Sequence, residues 1–306
     1  MAESGGPAAP FSEASTRPVL AEACAAVGLD PAEAEILRLG ENVIYRLAAA
    51  PVVVRIARTL GALEDVRKEI RVARWLEAED FPAVRLAEET EGDALVVADQ
   101  HPVTFWRYIR HRPPPPSEAS LGALLRRLHD FVPPEWVRLP SFQPFSRVCD
   151  RLDAAPSAAD PADVEFLRDL HDRLRDEYDS LSYAFPPSAV HGDAHLSNLL
   201  RDESGTVIML DFEAFGFGQR EWDLTVTGVR NNGFDWMTAQ EYQAFADAYG
   251  YDIHGWPGFP VLRAIRELTM TTWLMQLVDD PEAAAEFHRR VDDIRAGRYP
   301  RRWRRF

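Results

Sequence analysis

Apolar residues in the first hundred positions occur in short runs separated by turn residues. Three such runs follow one another with Gly, Asn or Pro between them: 35–39, 43–47 and 52–57. Short apolar runs with these boundaries are typical of strands joined by tight turns, so they predict a three-stranded meander. Two later runs predict two further strands: 94–98 and 103–109.

Helical spacing of apolar residues dominates the rest of the chain. Segment 63–77 places Val66, Ile70, Ala73 and Leu76 on one face, which predicts an amphipathic helix. Before it, 18–27 is Ala-rich with helical spacing, and the residues before about Thr16 read as a disordered tail. Further helices are predicted at 118–131, 163–181, 238–249, 258–278 and 281–296.

A run of prolines, 113–116, divides the strand-rich part from the helix-rich part. Proline-rich segments are stiff connectors. We therefore predict three regions: a disordered tail at 1–15, an N-terminal lobe at 16–110 and a C-terminal lobe at 111–306.

Composition excludes several classes of protein. The formal net charge is −15 and the sequence pI is about 5.0, which argues against binding to nucleic acids or anionic membranes. The same charge is compatible with a cationic substrate. No apolar run is long enough to span a bilayer and no secretory signal is recognisable, and the two cysteines, Cys24 and Cys149, lie far apart. We expect a cytoplasmic protein with reduced thiols.

The most informative stretch is V-H-G-D-A-H-L-S-N-L-L-R-D-E-S-G-T-V-I-M-L-D-F at 190–212. Asp193 and Asn198 lie on one short loop, and 203–205 reads as a hairpin turn. The apolar run that follows predicts a strand that ends near Asp211. Such a hairpin would bring Asp193, Asn198 and Asp211 to one edge, where their oxygens suit Mg²⁺ bound against phosphates.

This motif resembles the aminoglycoside phosphotransferase family, which includes choline-kinase-like small-molecule kinases. The resemblance covers about 35–230 and implies an α+β, two-lobed protein-kinase-like fold. Its small lobe has an antiparallel five-stranded sheet and one helix, and its larger lobe is mainly helical. It implies Asp193 as the base that orients the acceptor hydroxyl, and Asn198 and Asp211 as metal ligands. Glu213 stands where kinases have the glycine of D-F-G, and it is given no role.

The resemblance also assigns residues that bind the nucleotide. It implies that the turn with Gly40 and Asn42 covers the phosphates, and that a cation on the third strand reaches them. Arg55 occupies that strand, where the family usually has lysine; arginine can contact phosphate oxygens bidentately. The resemblance also implies a glutamate on the following helix that pairs with this cation, and Glu69 matches by position. An isolated charge among apolar strand residues would be costly, which favours this pairing.

The function predicted from these residues is phosphorylation of a hydroxyl on a small molecule, with ATP and Mg²⁺ as cofactors. GTP in place of ATP stays open, as do the acceptor (aminoglycoside-like, choline-like or sugar) and the oligomeric state. Two alternatives remain: a pseudokinase that binds nucleotide without chemistry, favoured by Arg55, and a metal-dependent phosphoesterase that would use His191, Asp193 and His195. His129 and His171 are predicted to be surface or capping residues, and the basic C-terminus a solvated or loosely docked tail.

Overall fold

The computed structural model describes residues 11–90, 94–156 and 159–306. This part of the chain divides into two compact units. The first contains the described residues up to Pro115 together with Pro134–Arg138 and Leu199–Glu213, and the second contains Pro116–Pro133, Leu139–Asn198 and Ala214–Phe306. The predicted division after residue 110 assigned 199–213 to the larger lobe, whereas these residues fold with the first unit. The segment 1–10 of the predicted tail lies outside the described residues.

The first unit contains a five-stranded antiparallel sheet, as predicted. Its strands lie in the order β1-β2-β3-β5-β4. Their bounds are β1 Glu35–Leu39, β2 Asn42–Arg46, β3 Val52–Ala57, β4 Leu95–Ala98 and β5 His101–Arg107.

One face of this sheet packs on helix α1, Glu13–Ala26. Alternate residues of β3 point to that face, so Val52, Val54 and Ile56 are buried against α1. The helix begins earlier than predicted, because Ser12 and Ser15 form a capping box that satisfies backbone N–H groups of its first turn. The predicted disorder of residues 13–15 is therefore wrong.

The other face of β3 presents Val53 and Arg55. Helix α2, Leu63–Ala78, packs Val66 and Ile70 against Ala57 at the end of β3. The charged side chain of Arg55 on this face can therefore contact polar side chains of α2.

A small hairpin completes the first unit, with strands β7, Leu199–Arg201, and β8, Val207–Met209. Met209 joins the backbone of an earlier segment, because its N–H donates to the Pro82 carbonyl (2.9 Å) and its carbonyl accepts from Val84 N–H (2.8 Å). These bonds fix the chain just before Asp211.

The second unit is mainly helical and also holds two short antiparallel strands, β6, Ser188–Val190, and β9, Gly216–Gly218. Among the described residues, none of its helices, nor any in the first unit, is long and apolar enough to cross a membrane. Its helices are α3 Glu118–His129, α4 Val148–Asp153, α5 Pro161–Asp179, α6 Glu221–Asn231, α7 Ala239–Tyr249, α8 Phe259–Leu274 and α9 Pro281–Arg295.

The basic C-terminus, residues 298–306, is docked onto the second unit and is here named the C-terminal strap. Trp303 is only 3% exposed and stacks on Phe234, with ring centroids 5.1 Å apart. Arg301 is 4% exposed, and its N–H donates to the Gly233 carbonyl (2.7 Å). The prediction of a solvated or loosely docked tail is wrong, because its aromatic and arginine side chains find buried partners.

Candidate active site

Arg55 is the centre of a polar network in the first unit. Its Nη1 donates to the carboxylate of Glu69 on α2, as the sequence predicted, and its Nη2 donates to Glu213 (3.1 Å). In the amide orientation that satisfies both groups, Asn42 Oδ1 accepts from Arg55 Nε (3.2 Å) and Nη2 (2.8 Å). Three predicted residues, Asn42, Arg55 and Glu69, therefore share one network, and Glu213 joins it.

Negative charge exceeds positive charge around Arg55. Burial raises the pKa of Glu69 to about 7, and the nearby Asp211 and Glu213 add to the rise while Arg55 opposes it. Burial would lower the pKa of Arg55, but Glu69, Glu213 and Asp211 more than offset this and raise it. Lys68 on α2 adds a second cation, which donates to the Glu213 carbonyl. This excess of negative charge suits a phosphate group that arrives together with a divalent cation.

Asp211 follows β8 in the left-handed region, with φ of 64°. Aspartate tolerates this region better than most residues. Its side chain is exposed, and its Oδ1 accepts a long bond from Glu213 N–H (3.3 Å). An exposed carboxylate oxygen is a suitable ligand for Mg²⁺.

The Gly40 turn fits its predicted role poorly. The Gly40 N–H donates to the Asn42 carbonyl (3.1 Å), and its own carbonyl accepts from Arg58 Nη2 (3.1 Å). A Cβ at this position would meet only Arg38 Nε, at 3.8 Å, so no close contact requires glycine. Because its amide is already bonded, Gly40 does not present a free N–H to a phosphate in this conformation.

In the second unit, Asp223 fixes the backbone of the loop that begins after β6. Its carboxylate accepts from His191 N–H (2.7 Å) and Gly192 N–H (2.8 Å). Gly192 has φ of 85°, and an added Cβ would lie 2.4 Å from the Ala214 carbonyl oxygen. Only glycine fits this turn, which presents the next residue, Asp193.

His129 supports the same loop from α3. It is completely buried; its Nε2 lies 3.1 Å from Asp223 Oδ2, and its Nδ1 lies 2.9 Å from the Tyr249 hydroxyl. The prediction of a surface or capping role is wrong for His129. It is also wrong for His171, which is buried with its Nε2 3.5 Å from Cys149 Sγ.

Both oxygens of Asp193 have partners. Oδ1 accepts from Arg266 Nη2 on α8 (2.7 Å), and Oδ2 lies 3.2 Å from His195 Nε2. Burial alone would raise the pKa of Asp193, but Arg266 and His195 more than offset it and hold this pKa well below its usual range. Asp193 is therefore a carboxylate that can accept a hydrogen bond from a hydroxyl.

Asn198 closes the loop by donating from Nδ2 to the Asp193 backbone carbonyl (3.0 Å). Among the described residues its Oδ1 has no hydrogen-bond partner, and an amide oxygen is a suitable ligand for Mg²⁺. The structure therefore brings the predicted base and one predicted metal ligand together within the second unit.

No three His, Cys, Asp or Glu side chains are placed to hold a metal ion by themselves within 11–90, 94–156 and 159–306. This disfavours the phosphoesterase alternative, which needs His191, Asp193 and His195 as a metal-binding set.

Arg266 is the functional candidate that the sequence analysis missed. An arginine on an amphipathic helix usually lies on the solvated face, so the position of Arg266 in the helical pattern did not indicate a functional role. The available signal was chemical, since a partly buried aspartate such as Asp193 needs a cation.

Arg55 on the five-stranded sheet is paired with Glu69 on α2, and the His191-Gly192-Asp193 loop is closed by Asn198. These features define a small-molecule kinase with a protein-kinase-like fold. The pattern of the phosphotransferase enzyme family matches residues 36–268, and the chain belongs to this family.

Solved structures with the same fold cover nearly the whole chain. Amicoumacin kinase hAmiN, in complex with AMP-PNP, Ca²⁺ and Ami, is 14% identical, with 93% of this chain and 96% of that chain covered and a TM-score of 0.71. Choline kinase LicA from Streptococcus pneumoniae is 13% identical, with 92% and 99% covered and a TM-score of 0.64. Spectinomycin phosphotransferase, in complex with ADP and its antibiotic, is 13% identical, with 94% and 95% covered and a TM-score of 0.62.

A curated relative matches over a shorter stretch. A probable ketoamine kinase of Lactiplantibacillus plantarum is 40% identical over 80 residues, which are 25% of this chain. The match spans 28% of that relative's length, so it leaves most of that protein uncompared.

Proposed function

We propose that this protein transfers the γ-phosphoryl group of ATP to a hydroxyl group of a small molecule, with Mg²⁺, in the cytoplasm. The observation that carries the proposal is the loop in which Asp193, ionised and oriented by two partners, lies beside Asn198. Phosphoryl transfer depends mainly on positioning and charge neutralisation, which this loop can supply.

The residues of the first unit suit the nucleotide. Arg55, held by Glu69, would bind phosphate oxygens, and Asn42 would orient the guanidinium. Asp211 and Asn198 would be the protein ligands of Mg²⁺, which when bound neutralises charge on the phosphates. Solved relatives were crystallised with AMP-PNP, ADP or GDP, which supports a nucleotide and leaves GTP as an alternative to ATP.

Asp193 would accept a hydrogen bond from the acceptor hydroxyl and direct its oxygen toward the phosphorus. A carboxylate whose pKa is low is a weak base, so it takes the proton only late, when the new P–O bond makes the hydroxyl acidic. Orientation, rather than early deprotonation, is therefore the role that the geometry supports.

Replacement of Asp193 tests this role. In Asp193→Asn we expect kcat to fall by about 10²–10⁴-fold, because the acceptor of the hydroxyl proton is lost. Binding of Mg-AMP-PNP, measured by thermal shift, should stay close to that of the wild type. Turnover within a few-fold of the wild type would contradict the assignment.

A second candidate is a pseudokinase, and one observation favours it. Arg55, which replaces the usual lysine, already donates hydrogen bonds to Glu69, Glu213 and Asn42. ADP release with a panel of hydroxyl compounds, compared with nucleotide binding alone, separates the two candidates. Choline, spectinomycin and ketoamines belong in this panel because relatives described above are named for such substrates.

A further inference from the structure

Arg266 has more hydrogen-bonding capacity than its contact with Asp193 uses. Its side chain is 17% exposed and that of Asp193 is 39% exposed, so the pair lies at an accessible position of the second unit. A guanidinium has five N–H donors in a planar fork. Only Nη2 of Arg266 has a partner within the described ranges, which leaves donors beside the proposed base.

Two carboxylates of the C-terminal helices, Glu267 and Asp280, are engaged elsewhere. Glu267 follows Arg266 on α8 but is 1% exposed and accepts from the Tyr299 hydroxyl (3.0 Å), with Arg301 Nε 2.8 Å away. Asp280 caps α9 by accepting from Glu282 N–H (2.9 Å) and Ala283 N–H (3.0 Å). These acidic residues of the C-terminal helices therefore do not balance the charge of Arg266.

Arg263, one turn before Arg266 on α8, also has other partners. Its Nη1 donates to Asn232 Oδ1 (3.1 Å), and its guanidinium lies over the Tyr299 ring, 4.3 Å from the centroid. It stabilises the contact with the C-terminal strap and does not contact Asp193. Of these two arginines of α8, only Arg266 is placed to contact a molecule that is bound at Asp193.

We propose that Arg266 selects the acceptor: while Asp193 holds the reacting hydroxyl, the remaining N–H groups of Arg266 bind an oxygen of the same molecule. Each of these two acceptor oxygens would lie about 2.9 Å from its own partner in the Asp193–Arg266 pair. A carboxylate or another oxyanion is favoured there and a hydroxyl is accepted, whereas an ammonium group is repelled. The acceptor is therefore a neutral or anionic polyhydroxy compound in this region, not a polycation.

This inference rests on the proposed function, and a matched series of six-carbon compounds tests it. D-gluconate, D-sorbitol and 1-amino-1-deoxy-D-sorbitol share a polyol chain and differ in terminal charge. With Mg-AMP-PNP present, calorimetry should show that gluconate binds the wild type about ten-fold more tightly than the amine, a ratio typical of one charge-assisted hydrogen bond. The affinity for sorbitol should lie between the affinities for gluconate and for the amine.

Variants then assign the preference to one residue. Arg266→Gln should reduce the ratio of the affinities for gluconate and the amine to about three-fold or less. Arg266→Lys should keep the order of the three affinities because it keeps the charge. Arg263→Gln is the matched control and should keep the full ratio. A wild type that prefers the amine, binds none of the three compounds, or shows a ratio that Arg266→Gln leaves unchanged would overturn the proposal.

Failure of the proposed function is recognised separately. If Mg-AMP-PNP does not raise the melting temperature of the wild type, the kinase proposal itself fails. If the nucleotide binds but the affinities do not decrease from gluconate to sorbitol to the amine, only the inference on Arg266 fails. Melting temperatures of the variants without ligand show whether each variant is folded.

Discussion

The carboxyl group of Glu69 combines burial with an excess of nearby negative charge, which raises its pKa to about 7. The folded state therefore holds a proton that the unfolded state releases near its ordinary pKa, about 4.5. The stability that this group contributes is complete below about pH 4.5 and is lost as the pH rises to about 7. The shift corresponds to about 3 kcal/mol at most.

Glu69→Gln should remove this pH dependence. Urea unfolding at several pH values from 4.5 to 8 should show that the wild type loses up to about 3 kcal/mol relative to the variant. The variant keeps a hydrogen-bond acceptor for Arg55 but no titrating group. Parallel stability profiles for the two proteins would show that Glu69 titrates normally.

Gly192 combines a positive φ with a lack of space. Gly192→Ala should destabilise the protein by roughly 3 kcal/mol or more, because a left-handed alanine costs about 1–2 kcal/mol and its Cβ would overlap the Ala214 carbonyl. Gly28 has φ of 75° and no atom within 4 Å of an added Cβ, so Gly28→Ala should cost only the conformational part. Equal losses of unfolding free energy in the two variants would exclude the steric explanation.

Residues that belong to a motif or break a pattern were predictable from the sequence. Arg55 was found because it is a charge among apolar strand residues, and Glu69 because the family pattern places a glutamate on the following helix. Arg266 and Glu213 were not assigned roles, because their partners are distant in the chain. His129 lies four residues after Leu125 on the apolar face of α3, a position that indicates burial, yet its polarity led to a surface prediction.

At the scale of elements, α8 carries two adjacent charges with different tasks. Arg266 contacts Asp193, whereas Glu267 is buried beneath the C-terminal strap, where burial raises its pKa and Arg301 opposes the rise. The helix was predicted from its apolar spacing at 258–278 and is observed at Phe259–Leu274. Its contacts could not be predicted, because apolar spacing does not specify which residue of the strap meets which residue of the helix.

Arg301→Gln tests the link between strap and helix. We expect a loss of about 3 kcal/mol in unfolding free energy, because Glu267 would become a buried carboxylate without its closest cation. In a Glu267→Gln background the same substitution should cost about 1 kcal/mol, since no buried charge is left unpaired. Additive losses in this double-mutant cycle would argue that the two side chains do not depend on each other.

At the scale of the whole molecule, the first unit is assembled from distant parts of the chain. The hairpin of β7 and β8 belongs to it through backbone bonds of Met209 with Pro82 and Val84, and of Arg112 N–H with the Arg201 carbonyl (3.0 Å). Arg71 Nε on α2 donates to the Val137 carbonyl (3.0 Å), which adds the segment 134–138. The proline run at 113–116 indicated a boundary, but proline content cannot reveal that later segments return to the first unit.

A fragment of residues 1–115 should therefore not fold as a stable unit. It lacks the partners of Pro82, Val84 and Arg112, so polar backbone groups would lose their hydrogen bonds. Urea unfolding followed by circular dichroism should show no cooperative transition, whereas the full chain should show one. A cooperative transition in the isolated fragment would mean that the sheet and its two helices suffice for stability.

The hydrogen-bond acceptors around Arg55 affect which anions can bind there. Inorganic phosphate and sulfate would meet a guanidinium that already donates to Glu69 and Glu213, and the carboxylates of Asp211 and Glu213 would repel them. A nucleotide that arrives with its own divalent cation supplies the missing positive charge and can take the place of Glu213. We therefore expect the cluster to bind an anion that carries a divalent cation more tightly than a small free anion.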